Sequence, residues 1–123
     1  MSVQKIEVRV STSGTAGSAS GSGSAAVAVG ELVAVHVNYH ASAPATTDVT
    51  IKATGNPADQ TALTLTNVNT DAWYYPRRVA EGNTGAALTT HAPYVVHGGI
   101  LNVDVAQADA LTDCVIATFY VRT

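Results

Sequence analysis

Charged side chains are scarce in this chain, and cysteine is almost absent. Charged residues make up 12% of the 123 residues, against about 25% in ordinary domains. The single cysteine, Cys114, excludes an intrachain disulfide, and a free cysteine in an apolar segment is predicted to be buried. A chain of this length can bury a core within one domain without disulfides or metal.

Other features that the sequence lacks exclude several classes of function. With a net charge of −3, the chain lacks the basic footprint of non-specific nucleic-acid binding. No apolar run approaches the length of a membrane span. The N-terminus has no basic stretch followed by an apolar one, so we expect no signal peptide and synthesis in a cytoplasm. A weakly charged surface is poorly protected against association. It suits a homo-oligomer or a larger assembly, and a soluble monomer is the alternative.

Apolar and polar residues alternate in several short segments. In Lys5–Val10, for example, Ile6, Val8 and Val10 alternate with charged residues. A period of two is typical of a strand with one dry face and one wet face. Turn residues separate the segments, which favours antiparallel sheets packed face to face. We therefore predict an all-β, single-domain antiparallel β-sandwich of about eight strands. The predicted strands are residues 3–10, 29–40, 47–54, 61–67, 72–80, 94–97, 100–106 and 113–122.

The apolar positions of these segments predict the core. They are Val35, Val37, Ile51, Leu63, Leu65, Val103, Val105 and Phe119.

A tract of Ser, Gly and Ala follows the first strand. Residues 11–26 have no large side chain, which predicts a flexible linker or long loop. We therefore divide the chain into an N-terminal strand plus arm, 1–26, and a β-sandwich domain, 27–123. The arm is long enough for its strand to pair within its own domain or with a neighbouring subunit. We expect it to contribute to assembly and residues 27–123 to fold without it.

The sequence predicts no catalytic, cofactor or metal site and no enzymatic activity. His36 and His40 would lie about 13 Å apart on a strand, and no carboxylate or cysteine has matching ligand spacing. Gly21 and Gly23 follow a strand as in a phosphate-binding turn, but no helical pattern follows them. The serines show no nucleophile-elbow pattern.

One dense cluster has the composition of a recognition surface. Trp, Tyr and Arg are the residue types most enriched at interface hot spots. Alternation places Trp73 and Tyr75 on one face of a strand and Tyr74 on the other. Core filling by the aromatics is the alternative. The predicted partner-contact residues are Trp73, Tyr74, Tyr75, Arg77 and Arg78.

Three segments, residues 32–48, 63–78 and 97–109, together with the β-rich C-terminus, resemble auxiliary head proteins of tailed bacteriophages, also called capsid decoration or cement proteins. The resemblance covers roughly residues 32–123 and consists of strand and turn features. It implies a non-enzymatic, often trimeric viral structural protein. Such a protein binds the outer capsid surface and braces contacts between subunits of the major capsid protein. The expected location is therefore the virion.

A second function is compatible with the same residues. An exposed platform formed by Trp73, Tyr74 and Tyr75 would suit sugar stacking. The alternative prediction is therefore a carbohydrate- or receptor-binding β-sandwich module of a phage fibre or tail.

Overall fold

A computed structural model describes residues 2–123, which form strands and connecting turns. Within this part of the chain there are ten strands rather than about eight, and no helix that is long and apolar enough to cross a membrane. The strands are β1 (Val3–Val10), β2 (Ala19–Ala26), β3 (Glu31–Tyr39), β4 (Asp48–Thr54), β5 (Gln60–Leu65), β6 (Ala72–Tyr74), β7 (Arg77–Glu81), β8 (Ala87–Val95), β9 (Ile100–Ala108) and β10 (Val115–Arg122).

The strands form two antiparallel sheets, which confirms the predicted β-sandwich. The first sheet has the order β1-β10-β3-β8-β7, and β6 also pairs with β3. The second sheet has the order β2-β9-β4-β5. The last strand of the chain, β10, therefore separates β1 from β3 in the first sheet.

The core lies between the two sheets, where the alternating segments place their apolar side chains. Seven of the eight predicted core residues are buried. The exception, Leu63, is only half-buried, although it packs against the core. It lies on β5, the edge strand of the second sheet, next to an irregularity in the pairing with β4.

The prediction of a loop or linker over residues 11–26 is wrong for Ala19–Ala26, which form β2 and pair with β9. The tract itself has a period of two, with half-buried Gly21, Gly23 and Ala25 alternating with exposed residues. Small inward residues are required because β1 lies close by. A β-carbon on Gly23 would lie 3.1 Å from Val8 Cγ1, and one on Gly21 would overlap the carbonyl oxygen of Ser11.

Residues 2–26 thus supply one edge strand to each sheet, since β1 pairs with β10 and β2 with β9. Val8, Val10 and Ala19 are buried in this region. β1 pairs with β10 of the same chain. Of the two pairings expected for the first strand, this is the one within its own domain. We call β1, β2 and their connection (residues 3–26) the N-terminal corner.

The predicted single strand over residues 72–80 is interrupted at Pro76. Proline lacks the N–H that a ladder hydrogen bond requires, and the chain passes from β6 to β7 at this point. β8 begins at Ala87, seven residues before the strand predicted over residues 94–97. Most side chains of β7 and β8 are exposed. We call the segment Arg77–Val95 the β7–β8 hairpin.

Candidate functional site

The outward face of the first sheet carries a row of side chains that crosses four strands. The register pairs Glu7 of β1 with Thr118 of β10, Thr118 with His36 of β3, and His36 with Trp73 of β6. In the neighbouring row, Lys5 of β1 is paired with Tyr120 of β10. Residues that are distant in sequence therefore become neighbours.

Strand alternation decides which side chains face outward. Val8, Val35 and Phe119 are buried between the sheets. Their immediate neighbours Glu7, His36, Thr118 and Tyr120 must therefore point to the opposite face. Once the sequence pattern identifies the buried residues of a strand, the residues that alternate with them are expected to face solvent.

Two aromatic side chains meet on this face. The ring centroids of Trp73 and Tyr120 are 5.6 Å apart, with 39° between the ring planes. His36 packs edge-on against Trp73, with a centroid separation of 5.0 Å and an interplanar angle of 65°. Trp73 nevertheless remains 51% exposed, so much of the indole is free to contact another molecule.

The rings belong to a shallow depression of about 190 Å³. We call its lining the aromatic surface, which consists of Lys5, Glu7, His36, Trp73, Thr118 and Tyr120. The depression is open to solvent, and its polar side chains come from β1, β3 and β10. This arrangement offers aromatic rings to an apolar face and hydrogen-bonding groups to polar atoms beside it.

Arg9 forms two ion pairs next to the β1 side of the aromatic surface. Arg9 Nε donates to Glu7 Oε1 at 2.7 Å, and Arg9 Nη1 donates to Asp113 Oδ2 at 2.9 Å. The hydrogen bond to Asp113 and the charge of Glu7 raise the pKa of Arg9 above its ordinary value. The Glu7 carboxylate is therefore already engaged by a cation on its own strand.

The predicted partner-contact residues do not all lie together. Trp73 lines the aromatic surface. Tyr74 is half-buried against the core, whereas Tyr75 is 61% exposed. Their contact with a partner stays a prediction.

The two arginines of the cluster lie on β7 and have partners within the chain. Arg77 Nη1 donates to the carbonyl oxygens of Val33 and Pro76, at 3.1 and 2.8 Å. Arg78 forms an ion pair of 3.1 Å with Glu81.

The four histidines are dispersed. His36 belongs to the aromatic surface, and His91 is exposed on β8. His40 Nδ1 accepts from the backbone N–H of Ser42 at 3.0 Å, and His97 Nε2 lies 3.3 Å from the carbonyl oxygen of Gly55. Within residues 2–123, no group of three or more His, Cys, Asp or Glu side chains is placed to hold a metal ion.

Five of the six residues of the aromatic surface were missed as site residues in the sequence: Lys5, Glu7, His36, Thr118 and Tyr120. Their outward orientation could be read from alternation, but their proximity depends on which strands pair. The order β1-β10-β3-β6 joins the two ends of the chain to its middle. Periodicity gives no information about that order.

Comparison with known proteins shows similarity only at the level of the fold. No protein-family model and no curated protein sequence matches the chain. One similar solved structure is the family 32 carbohydrate-binding module of NanJ from C. perfringens in complex with galactose. It is 9% identical, with 96% of this chain and 93% of that chain covered and a TM-score of 0.44.

A family 29 carbohydrate-binding module is also similar. It is 10% identical, with 97% of this chain and 77% of that chain covered and a TM-score of 0.38. Identities this low concern the β-sandwich architecture alone.

Proposed function

We propose that this protein is a non-catalytic binding module that holds carbohydrate on its aromatic surface. The observation that carries the proposal is the contact between exposed Trp73 and half-buried Tyr120 on the outward face of a sheet. A pyranose ring has an apolar face of C–H groups and a rim of hydroxyls. The apolar face gains contact area on aromatic rings, which expose a large rigid surface at low entropic cost.

Polar groups beside the rings match the hydroxyl rim of a sugar. Thr118 offers a hydroxyl that can donate or accept, and Glu7 offers carboxylate oxygens that accept. His36 adds a ring nitrogen next to Trp73. A few polar groups placed around an apolar contact fix the orientation of a ligand. Because the depression is shallow, it suits a segment of a longer glycan better than an engulfed small molecule.

The lining supports binding rather than hydrolysis. Most glycoside hydrolases flank the scissile bond with two carboxyl groups. Among residues 2–123, the aromatic surface contains one carboxylate, Glu7, and Arg9 already binds it.

The experiment is titration with soluble oligosaccharides chosen by a glycan array. We expect Trp73→Ala to lower affinity at least about fivefold, since truncation of a central aromatic contact typically costs more than about 1 kcal/mol. Tyr75→Ala is the matched control, because Tyr75 is an exposed aromatic residue nearby that does not line the depression. Equal losses in both variants, or no glycan bound by the native protein, would refute the proposal.

A capsid role is the second candidate, and the β7–β8 hairpin is the observation that favours it. Val79, Leu88 and Val95 are 40%, 50% and 48% exposed, and exposed apolar surface is a feature of protein–protein interaction sites. The partner would be the major capsid protein of a tailed phage, and the protein would reside on the virion surface. Co-sedimentation with purified capsids tests this. Leu88→Ser should weaken retention, whereas Thr64→Ser on the second sheet should not.

Self-association belongs to the same candidate function. The weakly charged surface and the exposed hairpin support a homo-oligomer, and the phage resemblance favours a trimer. Light scattering at micromolar concentration should give a mass near three chains. A monomer in solution that also stays monomeric on capsids would contradict this part of the proposal.

A further inference from the structure

The arginines and the lysines of this chain differ in whether they have partners. The chain has six Lys and Arg residues. Arg9 pairs with Glu7 and Asp113, and Arg122 pairs with Glu31 at 3.1 Å. On β7, Arg78 pairs with Glu81 and Arg77 donates to carbonyl oxygens. Within residues 2–123, neither Lys5 nor Lys52 forms an ion pair, and of the two only Lys5 lines the aromatic surface.

Lys5 is placed at one end of the aromatic pair. It lies on β1 directly opposite Tyr120 of β10, and Tyr120 contacts Trp73. The order across the sheet is therefore ammonium, phenol ring and indole ring. Glu7 shares this face of β1, but its carboxylate points to Arg9, with which it forms a 2.7 Å hydrogen bond. The Lys5 ammonium is thus the charge of the aromatic surface that is free to meet a ligand.

We infer that the ligand is an acidic sugar, whose ring rests on Trp73 and Tyr120 and whose carboxylate or sulfate group pairs with Lys5. This inference rests on the proposed carbohydrate binding and names its ligand class. An acid group attached to a stacked ring is held near the ring plane, beyond its edge. Lys5 lies on β1 directly opposite Tyr120 and lines the same depression, so its side chain is placed to reach such a group from the Tyr120 side of the pair. The flexible four-carbon stem of lysine lets one ammonium follow differently placed acid groups.

The preference for acidic over neutral sugars should be modest, because Lys5 is exposed. Exposed ion pairs contribute little, so we expect acidic sugars to bind about three- to fivefold more tightly than neutral ones of the same ring geometry. The net charge of −3 opposes a polyanion at long range. At physiological ionic strength, charges more than about 8 Å away are largely screened, so the local ammonium decides the preference. Raising the salt concentration should reduce it.

The experiment compares three sets of oligosaccharides by calorimetric titration: neutral galacto-oligosaccharides, galacturonic acid oligomers and sulfated galactans of similar length. Lys5→Gln should remove the preference for the acidic sets over the neutral set. Lys5→Arg should retain the preference. Lys52→Gln is the matched control, because Lys52 faces outward on β4 of the second sheet and its loss changes net charge equally.

The outcomes separate this inference from the proposed function. Lys5-dependent binding of galacturonic acid oligomers, of sulfated galactans or of both supports the inference and identifies the acid group. Equal binding of neutral and acidic sets overturns the inference while carbohydrate binding stands. Equal effects of Lys5→Gln and Lys52→Gln also overturn it, since they indicate a general charge effect. Binding of none of the three sets would count against both.

Discussion

The N-terminal corner and the β7–β8 hairpin differ in the size of their side chains and in how those side chains are packed. Between Ser11 and Ala26 the corner is built from Ser, Gly, Ala and Thr, yet this chain packs against β1 with Ala19 fully buried. The hairpin carries Arg, Val, Leu, His and Pro, and most of its side chains are exposed. Small residues therefore include buried positions in the corner, whereas no side chain of the hairpin is buried.

This difference shows that the size of the side chains in a segment does not predict how closely the segment is packed. In the corner, two strands approach so closely that only small residues fit between them. In the hairpin, β7 pairs with β8 alone, and β8 pairs with β3 only through Glu31–Val95 and Leu32–Tyr94. A two-stranded ribbon that packs on nothing has marginal stability. The corner should therefore contribute more to the stability of the fold.

Removal of the whole corner should give the largest effect. Deleting residues 1–26 removes an edge strand from each sheet and the buried side chains of Val8 and Val10. Burial of these two valines alone contributes about 3–6 kcal/mol, against a total of roughly 5–15 kcal/mol for an ordinary domain. We expect residues 27–123 to lose cooperative thermal unfolding, measured by calorimetry and circular dichroism.

The matched change in the hairpin is the double substitution of Val79 and Leu88 by Thr. Both side chains are largely exposed, so the free energy of unfolding should change by less than about 1 kcal/mol. A truncated protein that unfolds as cooperatively as the full chain would reverse the comparison. It would also support the original expectation that residues 27–123 fold without the arm.

Two glycines give the next largest contrast. Gly21→Val in the corner would force a side chain into the Ser11 carbonyl and should destabilise by about 3 kcal/mol. Gly85 in the hairpin turn has a φ of +82° and open space around it. Gly85→Ala should therefore cost only about 1 kcal/mol, from backbone strain alone. Urea unfolding measures both, and a larger cost at Gly85 would contradict the packing account of the corner.

A buried hydroxyl at the corner predicts a smaller effect. Thr12 is 8% exposed, and its Oγ1 donates to the carbonyl oxygen of Asp109 and accepts from the N–H of Leu111 at 3.1 Å. Thr12→Val should destabilise by about 1–3 kcal/mol, because it leaves buried backbone groups unpaired. Thr89→Val on exposed β8 is the control. Equal midpoints of chemical unfolding for the two variants would show that these hydrogen bonds add nothing.

The smallest expected effect is an alkaline loss of stability near the corner. Burial raises the pKa of the Cys114 thiol, with the nearby Thr12 hydroxyl opposing this rise and the charge of Asp109 adding to it. The unfolded chain releases the thiol proton at a lower pH than the folded chain does. The stability that the protonated thiol contributes is therefore fully present below the ordinary cysteine pKa of about 8.5. It is lost as the pH rises towards the folded-state pKa.

Unfolding midpoints measured between pH 7 and 9.5 check this dependence. The decline should be shallower in Cys114→Ala than in the native protein. Burial raises the pKa of Tyr39 as well, but its ordinary value near 10 places that contribution at higher pH. An identical slope in the Cys114→Ala variant would show that the thiol does not carry the effect.

The alternation of apolar residues was enough to predict the sandwich and most of its core. β1, β4 and β10 follow the sequence pattern closely because each buries one face. β2 was missed because its inward positions are glycine and alanine, which carry little hydrophobic signal even when they alternate. The break between β6 and β7 was indicated by Pro76, but the pairing of each half with a different strand depends on tertiary contacts.

The candidate site was only partly predictable. Trp73 is recognisable from residue type, since exposed tryptophan is rare enough to indicate function. Lys5 and Tyr120 look like ordinary outward residues of separate strands. They become one site only because β1 and β10 pair along their full length, and local sequence does not specify that pairing.

The position of β10 has a consequence for the way in which this chain is made. β10 is the last of the strands described, yet it lies between β1 and β3 and contributes Thr118 and Tyr120 to the aromatic surface. Until residues 115–122 leave the ribosome, β1 has no partner strand in the first sheet. The nascent protein must therefore carry unpaired strand edges and uncovered apolar faces until β10 has emerged, an interval in which non-local β-proteins are prone to aggregation.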